Sequence, residues 1–315
     1  MTPLSLRVDQ IDTLTPLIRR LILRTTDGTP APDYTAGAHI ELHVPGERPL
    51  RRAYSLVTPA SGSDALEIAV QLEAEGTGGS RWVHSLSVGE VVEVSPPKNL
   101  FPLEEAAEEH LLFAGGIGIT PILCMARALA AAGKRYAMHY AARDRERAAY
   151  CADVEALEHA RCWFDGGDPA KGMPLAEVIA APAAGRHLYV CGPKGFIAAV
   201  LDTGRQLGWA EANLHCELFT GALDEAGDRP FTVELTTSGV TLEVPVGKTV
   251  MDVMEEAGLD PMFDCRRGEC GICVAKVLDG EADHRDICLS ERERKEGGFC
   301  TCVSRARSER LVLEL

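Results

Sequence analysis

Cys265, Cys270 and Cys273 are spaced C-x4-C-x2-C in the run D-C-R-R-G-E-C-G-I-C, and Cys302 follows in T-C-V-S. Two irons bridged by sulfide need four thiolates converging on a very small core, three of them from one tight loop. Such a loop must wrap its backbone around the cluster. Gly268 and Gly271 supply that freedom, and backbone N–H groups left pointing at the sulfurs tune the potential. The spacing therefore predicts a 2Fe–2S cluster on Cys265, Cys270, Cys273 and Cys302. A zinc site would pair one C-x2-C with a second, and the chain has no second pair.

The fourth position has two candidates, because Cys300 and Cys302 both lie within reach of the loop. Thr301-Cys302-Val303 resembles the T-C-V step that plant-type ferredoxins carry at their last ligand. Cys302 is preferred on that ground, which leaves Cys300 as an ordinary buried thiol. Cys288 is given no role.

A second chemistry-bearing run is Gly115-Gly116-Ile117-Gly118-Ile119-Thr120-Pro121, which follows an apolar strand and opens a helix. Its glycines let the backbone approach a pyrophosphate, and the helix start attracts negative charge. Pro121 suits a first helical turn. Cys191-Gly192-Pro193 ends a later strand, and ligands of open α/β sheets sit at the carboxyl ends of strands. Beyond the second strand of this region, Asp144 is positioned to accept from ribose hydroxyls and repel a 2′-phosphate. Its competing role is to cap the next helical turn. Arg143 and Arg145 on either side would favour the 2′-phosphate.

The third run is Arg52-Ala53-Tyr54-Ser55, with Gly76-Thr77-Gly78-Gly79-Ser80 downstream. Strand alternation puts Arg52 and Tyr54 on one face, a cation for a phosphate and a ring to cover a flat cofactor. The Gly-rich turn into a helix is a second anion cradle, with Ser80 as a side-chain donor. The redox chemistry demands a carrier in that slot. A nicotinamide gives two electrons at once and a 2Fe–2S cluster takes one, and a flavin serves both.

These runs need elements to hold them. The first hundred or so residues carry short alternating apolar stretches separated by turn clusters, which predicts an antiparallel β-barrel. After Pro102 strands alternate with helices, which predicts a doubly wound parallel sheet. Beyond a polar stretch at Leu223–Asp228, a hairpin, a helix at Thr249–Ala257 and the cysteine loop suit a small α+β ferredoxin domain. The expected domains are 1–103, 104–222 and 229–315. At 315 residues the chain is long enough for all three. A net charge of −15 speaks against nucleic acid. No apolar run approaches a membrane span and no secretory signal pattern is read. Eleven cysteines without such a signal point to a reducing, cytoplasmic setting. The nine histidines show no metal-ligand pattern and read as structural or surface residues.

In combination and in order, R-A-Y-S, G-T-G-G-S, G-G-I-G-I-T-P, C-G-P and C-x4-C-x2-C resemble the phthalate dioxygenase reductase family over essentially the whole chain. The resemblance implies an FMN-binding β-barrel, an NADH-binding α/β domain and a C-terminal β-grasp ferredoxin domain. It implies that Arg52 holds the FMN phosphate with Gly79 and Ser80, that Tyr54 lies against the isoalloxazine, and that Ser55 sits near N5. Gly116, Gly118 and Thr120 would line the NADH site, Cys191 would approach the nicotinamide, and Phe219 would pack near the flavin. Electrons would pass to a terminal oxygenase with a Rieske centre and mononuclear iron, and a monomer is expected. The competing readings are a reductase for a cytochrome P450 or a free ferredoxin, and a redox sensor. A sensor has no need of a nicotinamide site.

Overall fold

The structure, a computed structural model, describes residues 3–45, 50–62, 64–73, 78–219, 228–263, 266, 268 and 270–315. Two compact units divide the chain, Met1–Glu217 and Leu218–Leu315.

The first unit begins with β1 (Leu4–Thr15), β2 (Ile18–Thr25), β3 (Ala38–Val44), β4 (Leu50–Ser55) and β5 (Ala65–Gln71). Helix α1 (Gly79–Ser85), β6 (Val91–Val94) and β7 (Lys98–Asn99) follow. The sheet order is β4-β3-β6-β1-β2-β5, with β7 on β3. Leu56 bridges Ile68, which brings the chain after β4 onto β5 and closes the sheet into a barrel. Alternation fills the barrel with Leu6, Val8, Leu21, Leu23, Ile40 and Leu42, all fully buried.

The same unit continues through β8 (Glu109–Gly115), α2 (Ile119–Ala131), β9 (Arg135–Ala142), α3 (Cys151–Glu155) and β10 (Ala160–Phe164). It ends with α4 (Leu175–Val178), β11 (Arg186–Cys191), α5 (Lys194–Gln206) and β12 (Leu214–Glu217). The five strands are parallel in the order β10-β9-β8-β11-β12. The order reverses at β8, so the loops after β8 and β11 open into one crevice, the usual ligand position of such sheets. Helix α3 stops at Glu155, and His159 before β10 is left-handed with φ 61°.

The barrel and the parallel sheet are tied by a buried polar contact. Tyr150, at the start of α3, donates its hydroxyl to Glu67 of β5 at 2.9 Å, and Arg20 of β2 holds the same carboxylate oxygen at 2.7 Å. Tyr150 is left-handed with φ 59°, a conformation that costs a bulky residue on the order of 1–3 kcal/mol and persists only where the surroundings enforce it. Burial pushes its phenol up, so it stays a donor.

The second unit carries β13 (Phe231–Leu235), β14 (Val240–Val244), α6 (Val250–Glu256), β15 (Val274–Asp279), β16 (Ala282–Asp283), α7 (Glu291–Lys295), β17 (Gly298–Cys300), β18 (Arg305–Ala306) and β19 (Arg310–Glu314). Its main sheet runs β14-β13-β19-β15-β17, mixed because β13 and β19 are parallel. Thr249 and Asp252 cap α6 reciprocally, and its apolar face packs Val250, Val253 and Met254 on Phe231, Val233 and Phe299. This is the expected β-grasp arrangement.

Arg305, three residues after Cys302, is 2% exposed. Its guanidinium donates to the carbonyls of Pro245, Lys248 and Arg229 and lies 3.5 Å from Asp228. Arg285 pairs with the same aspartate. Replacing one partner of a buried ionic network typically costs about 3–5 kcal/mol, because the others stay buried without their charge. Arg305→Met therefore lowers the stability of the second unit by that order, read as a lower denaturant midpoint, while the unfolding transition of the first unit stays in place. An unchanged midpoint would contradict this account of how the strand after Cys302 is held.

Candidate functional sites

Cys273 and Cys302 are both buried, and their sulfurs lie 3.2 Å apart. The backbone enforces the approach: Thr301 donates to the Cys273 carbonyl from its N–H at 3.3 Å and from its hydroxyl at 3.1 Å. Cys270 is exposed on the loop, and Cys265 lies outside the described residues. Gly268 and Gly271 are left-handed, and a Cβ at Gly268 would stand 2.6 Å from Val303 and 2.9 Å from the Asp286 backbone. A loop this tight against the turn that carries Cys302 fits a cluster cradle. Cys300, fully buried on β17, lies against Cys273 as well and also meets Cys288 at 3.3 Å.

In the first unit, Gly115 to Gly118 and Cys191 to Pro193 interlock. A Cβ at Gly118 would come within 2.3 Å of the Cys191 carbonyl oxygen, and one at Gly192 within 2.9 Å of Gly115 Cα. Above them opens a cavity of about 580 Å³, lined by Gly115, Gly116, Arg143, Arg147, Pro193 and Phe196 among others, with Thr15 to Ile18 and Gln71 on its barrel side. Such a volume falls in the ordinary range for small-molecule sites. The helix start and the Gly loop fit an anionic cofactor.

Thr120, Cys191 and Asp144 are not among the residues that line this cavity. Thr120 is buried and donates its hydroxyl to the Ile117 carbonyl at 3.1 Å, which closes the loop. Cys191 is fully buried at the end of β11. Asp144 accepts from Arg147 N–H at 2.9 Å and pairs with the Arg147 guanidinium, so it caps the short turn Arg145–Arg147.

On the barrel, Arg52 and Tyr54 share a face of β4, as alternation requires. A Cβ at Gly79 would stand 2.7 Å from Arg52 Cγ, so a larger residue there would have to push the arginine side chain aside. Gly78 before it is left-handed, with φ 101°. Ser80 accepts from Glu73 N–H at 3.0 Å, which leaves its hydroxyl proton to donate. Burial pushes the Tyr54 phenol up to about 12, so it is neutral and able to lie against a flat ring. These groups fit a flavin with its phosphate at the start of α1. Ser55 is buried and donates to Glu217 at 3.3 Å. Glu217, 1% exposed at the end of β12, is a site residue that the strand pattern gave no reason to single out. Phe219 is 41% exposed just beyond that strand.

The histidines are structural where the sheet buries them. His187 and His215 bond ring to ring at 2.9 Å, and His215 stacks on Tyr189. Burial drives His215 and His139 down to about 4, so both are neutral at pH 7. No helix among the described residues is long and apolar enough to cross a membrane.

A barrel with a flavin cradle, a parallel sheet with a nucleotide cleft and a β-grasp unit with converging thiols define an electron-transfer oxidoreductase. Comparison with known proteins agrees domain by domain. Residues 5–102 match an oxidoreductase FAD-binding domain, residues 233–307 a 2Fe-2S iron-sulfur cluster binding domain, and residues 92–214 the N-terminal domain of dimethylamine monooxygenase subunit DmmA-like proteins. The chain is 45% identical over 295 residues to a vanillate O-demethylase oxidoreductase of Pseudomonas sp. (strain HR199 / DSM 7063), covering 92% of each. It is 37% identical over 300 residues to the phthalate dioxygenase reductase of Burkholderia cepacia, covering 93% of this chain and 91% of that one. A solved phthalate dioxygenase reductase, described as a modular structure for electron transfer from pyridine nucleotides to [2Fe-2S], superposes with a TM-score of 0.71 at 36% identity, covering 99% of this chain and 98% of that one. The chain belongs to the phthalate dioxygenase reductase family.

Proposed function

We propose that this reductase takes electrons from NADH through FMN to a 2Fe–2S cluster on Cys265, Cys270, Cys273 and Cys302, and delivers them to a terminal Rieske-type aromatic oxygenase or O-demethylase. The observation that carries this reading is the pairing, in one chain, of the nucleotide cleft over Gly115 and Gly116 with the buried Cys273–Cys302 sulfur pair. A two-electron donor and a one-electron carrier require an intermediary that exchanges both, and FMN supplies that chemistry when bound. Arg52 and Ser80 would hold its phosphate, Tyr54 would cover the ring, and Ser55, hydrogen-bonded to Glu217, would stand beside it. Positioning supplies most of the rate. The similarity to vanillate O-demethylase and phthalate dioxygenase reductases supports the acceptor class. Chromatography of the denatured protein is expected to show FMN, with two irons per chain; release of FAD would overturn the flavin assignment. Turnover with a purified Rieske oxygenase tests the acceptor.

A haem acceptor is the second reading. The chain is 36% identical over 317 residues to the heme-dependent oxidative N-demethylase beta subunit of Ectopseudomonas mendocina. It also matches 41% of an intact type IV self-sufficient cytochrome P450 monooxygenase, at a TM-score of 0.68. Faster NADH-driven reduction of a haem oxygenase than of a Rieske one would select it.

The preference for NADH follows from the Asp144 cap. Arg147 lines the cleft, and Asp144 holds its guanidinium. An arginine so engaged is less able to pair with a 2′-phosphate. Asp144→Ser releases it and narrows the NADH-over-NADPH ratio of kcat/KM about fivefold, the worth of an exposed ion pair of ~1 kcal/mol. An unchanged ratio, with only a loss of stability, would leave Asp144 as a cap alone.

A further inference from the structure

Cys151 and Cys162 lie outside every site described above. Their sulfurs are 3.4 Å apart, and a Glu155 carboxylate oxygen joins them so that all three ligand atoms fall within 4.8 Å of one another. Cys151 and Glu155 are spaced i, i+4 on α3, so they project from one face of the helix. Cys162 meets them from β10. We propose that Cys151, Glu155 and Cys162 form a binding site for a soft divalent cation of the zinc class.

The geometry suits a tetrahedral ion. Zn–S bonds of about 2.3 Å place two coordinating sulfurs roughly 3.8 Å apart, a few tenths of an ångström beyond the present separation. The charges also close. Two thiolates and a carboxylate carry three negative charges. A divalent cation supplies two positive charges, and the Arg145 guanidinium, which holds both oxygens of Glu155 at 2.5 and 3.0 Å, supplies the third. Arg145 is in turn fixed over the Phe164 ring at 5.7 Å. It has the part of the outer-sphere partner that orients a ligating carboxylate.

Access and exchange follow from burial. Cys151 is buried, Cys162 half-buried and Glu155 exposed, so the ion enters along the carboxylate and water completes the fourth position. Without metal, burial, and hydrogen bonding with Cys151, push the Cys162 thiol up to about 12. Binding is an exchange in which one cation displaces two thiol protons, with no change of oxidation state. The bound ion pins α3 to β10 behind the turn whose Arg143, Glu146 and Arg147 line the nucleotide cleft.

The test uses the full, cofactor-loaded protein. Zinc titrated by calorimetry is expected to bind at one equivalent per chain without altering the visible spectrum, and cadmium is expected to raise a thiolate-to-metal band in the ultraviolet. Cys162→Ser should remove that band and weaken binding more than the ~10–100-fold that outer-sphere changes cost. Glu155→Gln should keep the band, which comes from the thiolates, and weaken binding. If Cys162→Ser does not fold, Cys151→Ala serves in its place. Absence of uptake by the wild type, a band that survives in the cysteine variants, or uptake that bleaches the visible spectrum would each overturn the site. So would recovery of Cys151 and Cys162 as a disulfide.

Discussion

Cys302→Ser is expected to leave a flavoprotein that still oxidises NADH but cannot pass single electrons onward. The serine replaces a buried sulfur 3.2 Å from that of Cys273. Loss of a direct ligand exceeds the ~10–100-fold in affinity that outer-sphere changes cost, so iron falls from two per chain to near none and cytochrome c reduction collapses with it. Rapid-mixing reduction of the flavin by NADH continues at close to the wild-type rate. Cys300→Ser is the paired measurement. That sulfur, on β17, meets both Cys273 and Cys288, but Cys302 carries the T-C-V step of plant-type ferredoxins, so the Cys300 variant is expected to keep its iron. Iron retained in the first variant and lost in the second would exchange the two assignments.

Gly118→Ala is expected to cut the rate of flavin reduction by NADH about a hundredfold, the scale on which an ångström of misplacement acts. The glycine has φ −61°, which any residue adopts, so the cost is purely steric. The new methyl would sit 2.3 Å from the Cys191 oxygen, 2.4 Å from its carbonyl carbon and 2.6 Å from Gly192 N, all of them backbone atoms. The loops after β8 and β11 must therefore part, which opens the floor of the cleft. Gly116→Ala is the contrasting case. Its φ of 53° costs an alanine roughly 1–2 kcal/mol, but nothing lies within 4 Å of the added carbon. It should lose stability and keep most of its rate. Equal effects of the two substitutions on flavin reduction would remove the interlocked loops from the account.

The contrast shows what the chain discloses by itself. The cysteine spacing, the Gly loops and the two periodicities were readable because each is a local constraint, satisfied within a few residues. The strand-and-helix alternation likewise predicted the parallel sheet. The polar pairs were not readable, because they join distant positions. Tyr150 and Glu67 are 83 residues apart, and Ser55 and Glu217 are 162 apart. No spacing rule connects them. Asp144 illustrates a different limit. The sequence offered both a ribose contact and a cap, and only the backbone path of the turn shows the carboxylate accepting from Arg147. Cys191 falls on the expected strand end, but the side its sulfur takes depends on packing against neighbours that the strand pattern does not name.

The Tyr150 contact bears on how such reductases can be recombined. A chimera that keeps this barrel and imports a nucleotide domain lacking a hydroxyl at that place leaves Glu67, 5% exposed, with Arg20 as its remaining cross-strand partner. It also leaves an imported residue with no reason to hold a left-handed backbone. Arg20, Glu67 and Tyr150 are thus inherited as one unit, although they come from β2, β5 and the start of α3. Crossovers placed at the domain boundary, where sequence would suggest a clean cut, separate them. Crossovers that carry all three together preserve the registry of one domain on the other.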